Sequence, residues 1–107
     1  MKMPLVFDEN GDVSLYWSLG DAQKNIEAID VKNNEYAAYD AAGRMLLLKA
    51  VDDLPIDITL AEDEPRHRQE LVGALRRYVG ARQRRGTLDT LSLEELLHVV
   101  QTDQMKN

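Results

Sequence analysis

The chain has 107 residues, 44% hydrophobic and 30% charged, with no cysteine, three prolines and a net charge of −6. A chain of this length buries roughly 60–70% of its unfolded surface and sustains one core, so a single domain over 1–107 is expected. The apolar content excludes disorder, the interspersed charge excludes a membrane span, and the missing cysteines exclude disulfides, thiol nucleophiles and thiolate zinc sites.

Asp8, Glu9 and Asp12 arrive too early for a secretory signal. With the absence of cysteine, this makes the cytoplasm the expected location. The charge is uneven. Residues 1–64 hold 14 Asp and Glu against 5 Lys and Arg, whereas residues 65–107 hold 5 against 8. An acidic half repels nucleic acid and anionic lipid and speeds encounter with basic proteins.

Asn10-Gly11 between apolar runs predicts a hairpin with strands near Leu5–Phe7 and Val13–Trp17. Ser18, with Asp21 three residues on, predicts a helix start, and Leu19, Ala22, Ile26 and Ile29 recur at helical spacing. A turn at Asn33-Asn34 leads into a strand over 35–40, where Tyr36 and Tyr39 favour extended backbone. Asp40 and Gly43 fit a type I turn closed by a left-handed residue. The run 44–51 is apolar on both faces and is expected to form the middle of the sheet. Ile56, Ile58 and Leu60 alternate with Asp57 and Thr59, giving a strand with one wet face.

Residues 65–85 read as a long helix with Pro65 in its first turn and Glu62, Asp63 and Glu64 favouring its positive end. Leu71, Leu75, Tyr78, Val79 and Arg82 mark one face, and Gly86 can end the helix. Ser92 and Glu95 form a capping box before a last amphipathic helix carrying Leu93, Leu96, Leu97 and Val100. The expected fold is α+β: a mostly antiparallel twisted sheet of four to five strands, one inserted helix and two C-terminal helices. "FDENGDVSL" and "YDAAGRMLL" echo each other, but two copies make two similar hairpins and not a repeat array.

Candidate sites are few. His67 and Glu70 share a helical face but lack a third metal ligand. His98 borders an apolar stripe. No nucleophile elbow, phosphate loop or zinc-protease motif occurs, so no enzyme activity, cofactor or metal is expected. Arg76, Arg77, Arg82, Arg84 and Arg85, with Tyr78 among them, make helix 66–85 a candidate for phosphate contacts. The carboxylates Glu94 and Glu95 at the start of the next helix argue against a helix-turn-helix reader. The same arginines can instead pair with the acidic half. Asp52, Asp53, Asp57, Glu62, Asp63 and Glu64 fall around one strand and can form a contiguous negative face; their alternative use is solubility.

Tyr16-Trp17-Ser18, Ile29-Asp30-Val31, Glu35-Tyr36 and Tyr39-Asp40-x-x-Gly43-Arg44 lie within residues 15–48, a stretch that resembles immunity proteins of bacterial polymorphic toxin and contact-dependent growth inhibition systems. The resemblance implies stoichiometric neutralisation of a cognate toxin domain, commonly a basic nuclease. The contact charges expected for that role are the clustered carboxylates Asp52, Asp53, Asp57, Glu62, Asp63 and Glu64, with Glu35 weaker. A nucleic-acid-binding regulator using helix 66–85 is the alternative; neither reading calls for a membrane partner.

Overall fold

A computed structural model describes residues 1–52, 54–82 and 90–105 of the chain. Asp53, Arg84, Arg85 and Gly86, all named above, lie outside the described residues. The fold is α+β, with antiparallel sheets of three and two strands and helices on both sides of the larger sheet.

Strands β1 (Leu5–Glu9) and β2 (Asp12–Tyr16) form the expected hairpin, with Glu9 opposite Asp12. Asn10 and Gly11 both take positive φ, 53° and 97°, as a two-residue turn matched to strand twist requires. The Asp8 carboxylate accepts the Gly11 N–H at 2.8 Å and fastens it. Strand β3 (Tyr36–Tyr39) pairs with the other edge of β1, giving the order β2-β1-β3.

The centre of the sheet is therefore β1, not the 44–51 run. Leu5, Val6 and Phe7 are all buried, because both faces of β1 are covered. Val6 joins Val13, Tyr39 and the two C-terminal helices in one core; Leu5 and Phe7 join Ala22, Ala38, Leu46, Ile56 and Ile58 in another. The 44–51 run instead gives β4 (Leu46–Lys49), paired only with β5 (Asp57–Leu60) in a two-stranded ribbon and touching β3 at a single Tyr39–Met45 bridge. Among the described residues nothing covers the outward face of that ribbon, and Leu47 stays 58% exposed. In β5 and the residue before it, Ile56 and Ile58 turn inward and Asp57 and Thr59 outward, as their alternation requires.

The inserted helix is two helices, α1 (Leu19–Asn25) and α2 (Ala28–Lys32). Ser18 caps α1 by accepting the Asp21 N–H. The break follows from Ile26 and Glu27, both extended: burying Ile26 turns the chain, so Ile29 leaves the apolar face and is 60% exposed.

Helix α3 (Arg68–Arg82) begins later than Pro65. The Glu62 carboxylate accepts the N–H groups of Met45 and Arg66, which holds residues 62–67 in a turn ahead of the helix. Leu71, Leu75, Tyr78 and Val79 face the sheet as expected, whereas Arg82 lies outside the core over the Tyr78 ring, 4.3 Å from its centroid. Helix α4 (Leu93–Met105) starts with a reciprocal capping box: Ser92 Oγ accepts the Glu95 N–H and Glu95 accepts the Ser92 N–H.

The 40–44 turn joins the layers. Asp40 is fully buried and accepts the N–H groups of Lys2, Ala42 and Arg44 and the Arg44 guanidinium. Burial raises the Asp40 pKa, but these donors outweigh it and hold the carboxyl below its ordinary value. Gly43 has φ 95°, and its carbonyl accepts the His67 N–H at 3.0 Å. A Cβ there would stand 2.6 Å from the Arg68 Cα, so only glycine lets α3 seat against the turn.

Candidate functional site

Three elements converge at the open end of the β1 face that bears Phe7. Glu9 ends β1 and sits opposite Tyr36 in register. Beneath it, Phe7 meets the Tyr16 and Tyr36 rings edge-on, at centroid distances of 5.5 and 5.9 Å. The α1–α2 break brings back Asp30, and a turn through Asn34, with φ 55°, sets Glu35 beside it through a Glu35 N–H to Asp30 carbonyl bond of 3.0 Å.

Carboxylate oxygens of Glu9, Asp30 and Glu35 consequently lie within 4.8 Å of one another. Glu9 and Asp30 line a concavity of about 510 Å³ whose wall also includes Asp12, Glu27, Tyr16 and Tyr36. Desolvation, then the hydrogen bond and charge of Asp30, push the Glu9 pKa up. A hydrogen bond with Asp30, then desolvation, push Glu35 up. Tyr36 is raised to about 12 by desolvation and by the charges of Glu9 and Asp30. The pocket thus holds negative charge against its own repulsion, a state that an ammonium, a guanidinium or a metal cation would relieve.

The structure places the residues expected from sequence differently. Of these, only Glu35 belongs to the carboxylate cluster. Asp52 is highly exposed and pairs with Lys32 at 3.4 Å. Asp57 faces solvent opposite Lys49 on the ribbon, and Asp63 and Glu64 are exposed in the turn before α3. Glu62 points inward: besides its backbone bonds it holds His67 Nδ1 at 2.7 Å. Its pKa is raised by desolvation and lowered more strongly by the His67, Met45 and Arg66 donors. Among the described residues, no trio of these carboxylates shares a centre as Glu9, Asp30 and Glu35 do.

His67 is thus partnered by Glu62, not aligned with Glu70 toward a metal. His98 is exposed on α4 beside Leu97, in a groove shared with Trp17. The α3 arginines turn largely toward the chain's own acids. Arg68 reaches Glu94 at 3.7 Å, Arg77 reaches Asp8 at 4.0 Å and Arg82 reaches Asp12 at 3.6 Å.

Glu9 and Asp30 were not singled out by sequence. The one available signal was register: with Asn10-Gly11 as a two-residue turn, Glu9 ends β1 on the same face as Phe7, opposite Asp12. No protein-family model, curated protein or solved structure matches the chain. No helix among the described residues is long and apolar enough to cross a membrane.

Proposed function

We propose that this chain is an immunity protein that neutralises a basic toxin domain by stoichiometric binding. The observation that carries the reading is the Glu9–Asp30–Glu35 cluster, where charge is gathered at an energetic cost to the fold and a basic partner side chain would remove that cost. Exposed Asp52, Asp57, Asp63 and Glu64 add to the negative field that steers such a partner. The nucleic-acid reading of helix 66–85 has less support, because Arg68, Arg77 and Arg82 already face carboxylates of the same molecule.

Under this reading the reading frame immediately upstream encodes a large secreted protein with a variable C-terminal domain. That domain should arrest growth when expressed alone and be tolerated when co-expressed with this chain. Continued arrest with both present overturns the proposal. Combining Glu9→Lys, Asp30→Lys and Glu35→Lys should slow association on the order of tenfold or more at low salt, with circular dichroism confirming the fold. An unchanged rate would refute the role of the pocket.

A further inference from the structure

β3 and β4 follow one another in sequence yet stop short of one sheet. They meet at the Tyr39–Met45 bridge and then belong to different ladders, β3 to β1 and β4 to β5. Each strand turns an edge toward the other. Between them opens a cleft of about 470 Å³, lined by Tyr36 to Ala38 on one side and Met45 to Leu48 on the other, with Val31 of α2 alongside. Natural edges are ordinarily blunted by charge, proline or a bulge. Here the strands read Tyr-Ala-Ala-Tyr and Leu-Leu-Leu-Lys, and Met45 and Leu47 remain 38% and 58% exposed.

The cleft adjoins the acidic pocket across Tyr36. Tyr36 lines both, and Glu35, one residue before β3, belongs to the carboxylate cluster. An apolar strand edge therefore leads directly to a concentration of negative charge.

We infer that the cleft takes an extended segment of a basic protein partner, added along the outer edge of β3, with a Lys or Arg of that segment seated at Glu9, Asp30 and Glu35. This rests on the reading that the chain neutralises a basic protein. Main-chain hydrogen bonds to a strand edge supply affinity, and alternate side chains supply specificity. Apolar side chains of the segment lie against the exposed Met45 and Leu47, while the carboxylates fix its register. Two strands must stand about 10 Å apart to admit a third between them. The Tyr39–Met45 bridge prevents that at one end, so the segment enters from the Tyr36 end and pairs with β3 alone.

The test titrates the full chain, followed by amide NMR, with two acetylated and amidated peptides: Lys-Val-Thr-Val-Thr-Val, and the same sequence with Glu replacing Lys. The Lys peptide should shift the amides of Tyr36, Ala37, Ala38, Leu46 and Leu47 and bind roughly tenfold tighter than the Glu peptide. The solvent-facing substitution Leu47→Glu should weaken it. No shifts at millimolar peptide, shifts confined to α3 and α4, or equal affinity for the two peptides overturns the inference. A Leu47→Glu chain that loses the peptide yet still neutralises the toxin domain also overturns it and leaves the immunity reading intact. Peptide binding at the cleft without any complex with the toxin domain upholds the cleft and overturns the immunity reading alone.

Discussion

Asp40→Asn removes a buried charge while keeping size and shape. The Oδ1 atom accepts the Ala42 and Arg44 N–H groups, and Oδ2 accepts the Lys2 N–H and the Arg44 guanidinium. An amide supplies one oxygen, so whichever way it turns, an NH2 group faces two donors. Hydrogen bonds to a charged acceptor contribute about 1.5–3 kcal/mol each, and removing one partner of a buried pair costs about 3–5 kcal/mol. The expected loss is therefore ~3–5 kcal/mol, a large share of the ~5–15 kcal/mol that holds a domain together. In urea titrations followed by far-ultraviolet circular dichroism, the midpoint should fall by about 2 M. The pH dependence supplies a second reading. Because the folded carboxyl titrates below its ordinary 3.8, its contribution is complete above that pH and is lost as pH falls through the lower folded value. The gap between wild type and Asp40→Asn should narrow in acid. A loss under about 1 kcal/mol, or a gap that stays constant to the acid limit, would refute this account of the turn.

Gly43→Ala and Gly11→Ala separate strain from crowding. Both glycines have φ near 95°, but a Cβ at Gly43 meets the Arg68 backbone at 2.6 Å, whereas none at Gly11 meets anything within 4 Å. Thermal or urea unfolding should show a loss of about 1 kcal/mol at Gly11 and ~3 kcal/mol or more at Gly43; equal losses would contradict the docking of α3 on the turn. Glu35→Gln and Glu9→Gln should raise the melting temperature at neutral pH. The folded pKa of each is raised above 4.5, so the contribution of the glutamate is fully present below that pH and is lost as pH rises through the folded value. The gain should vanish near pH 4 in calorimetry, and a variant less stable than wild type at neutral pH would show that the carboxylates do not repel one another.

Local chemistry was legible wherever the controlling residues are neighbours in the chain. Asn10-Gly11, Ser18 with Asp21, Asp40 with Gly43, and Ser92 with Glu95 each perform the turn or cap their spacing implies. What was not legible depends on which layers cover a strand. Leu5-Val6-Phe7 is shorter than 44–51 and less conspicuously apolar, yet it is the strand covered on both faces, because a short apolar run does not state how many neighbours it will receive. The candidate site was hidden for a related reason. Glu35 was singled out, but Glu9 and Asp30 are distant in sequence and meet only once β1, β3 and the broken α1–α2 pair are assembled. Conversely, the run of carboxylates over 52–64 is dispersed by its ribbon and turn, and Glu62 is drawn inward to organise the approach to α3.

β1 carries both the most enclosed side chains and, two residues beyond Phe7, a wall of the acidic pocket. The remaining acids of the cluster hang from α2 and the Asn34 turn, a segment with no buried residue of its own. Substitutions over 27–35 can accordingly rewrite the charge pattern offered to a partner while the scaffold beneath stays fixed. If the chain neutralises a toxin as proposed, this organisation lets it follow a changing opponent by altering one short, shallow segment, without relearning how to fold.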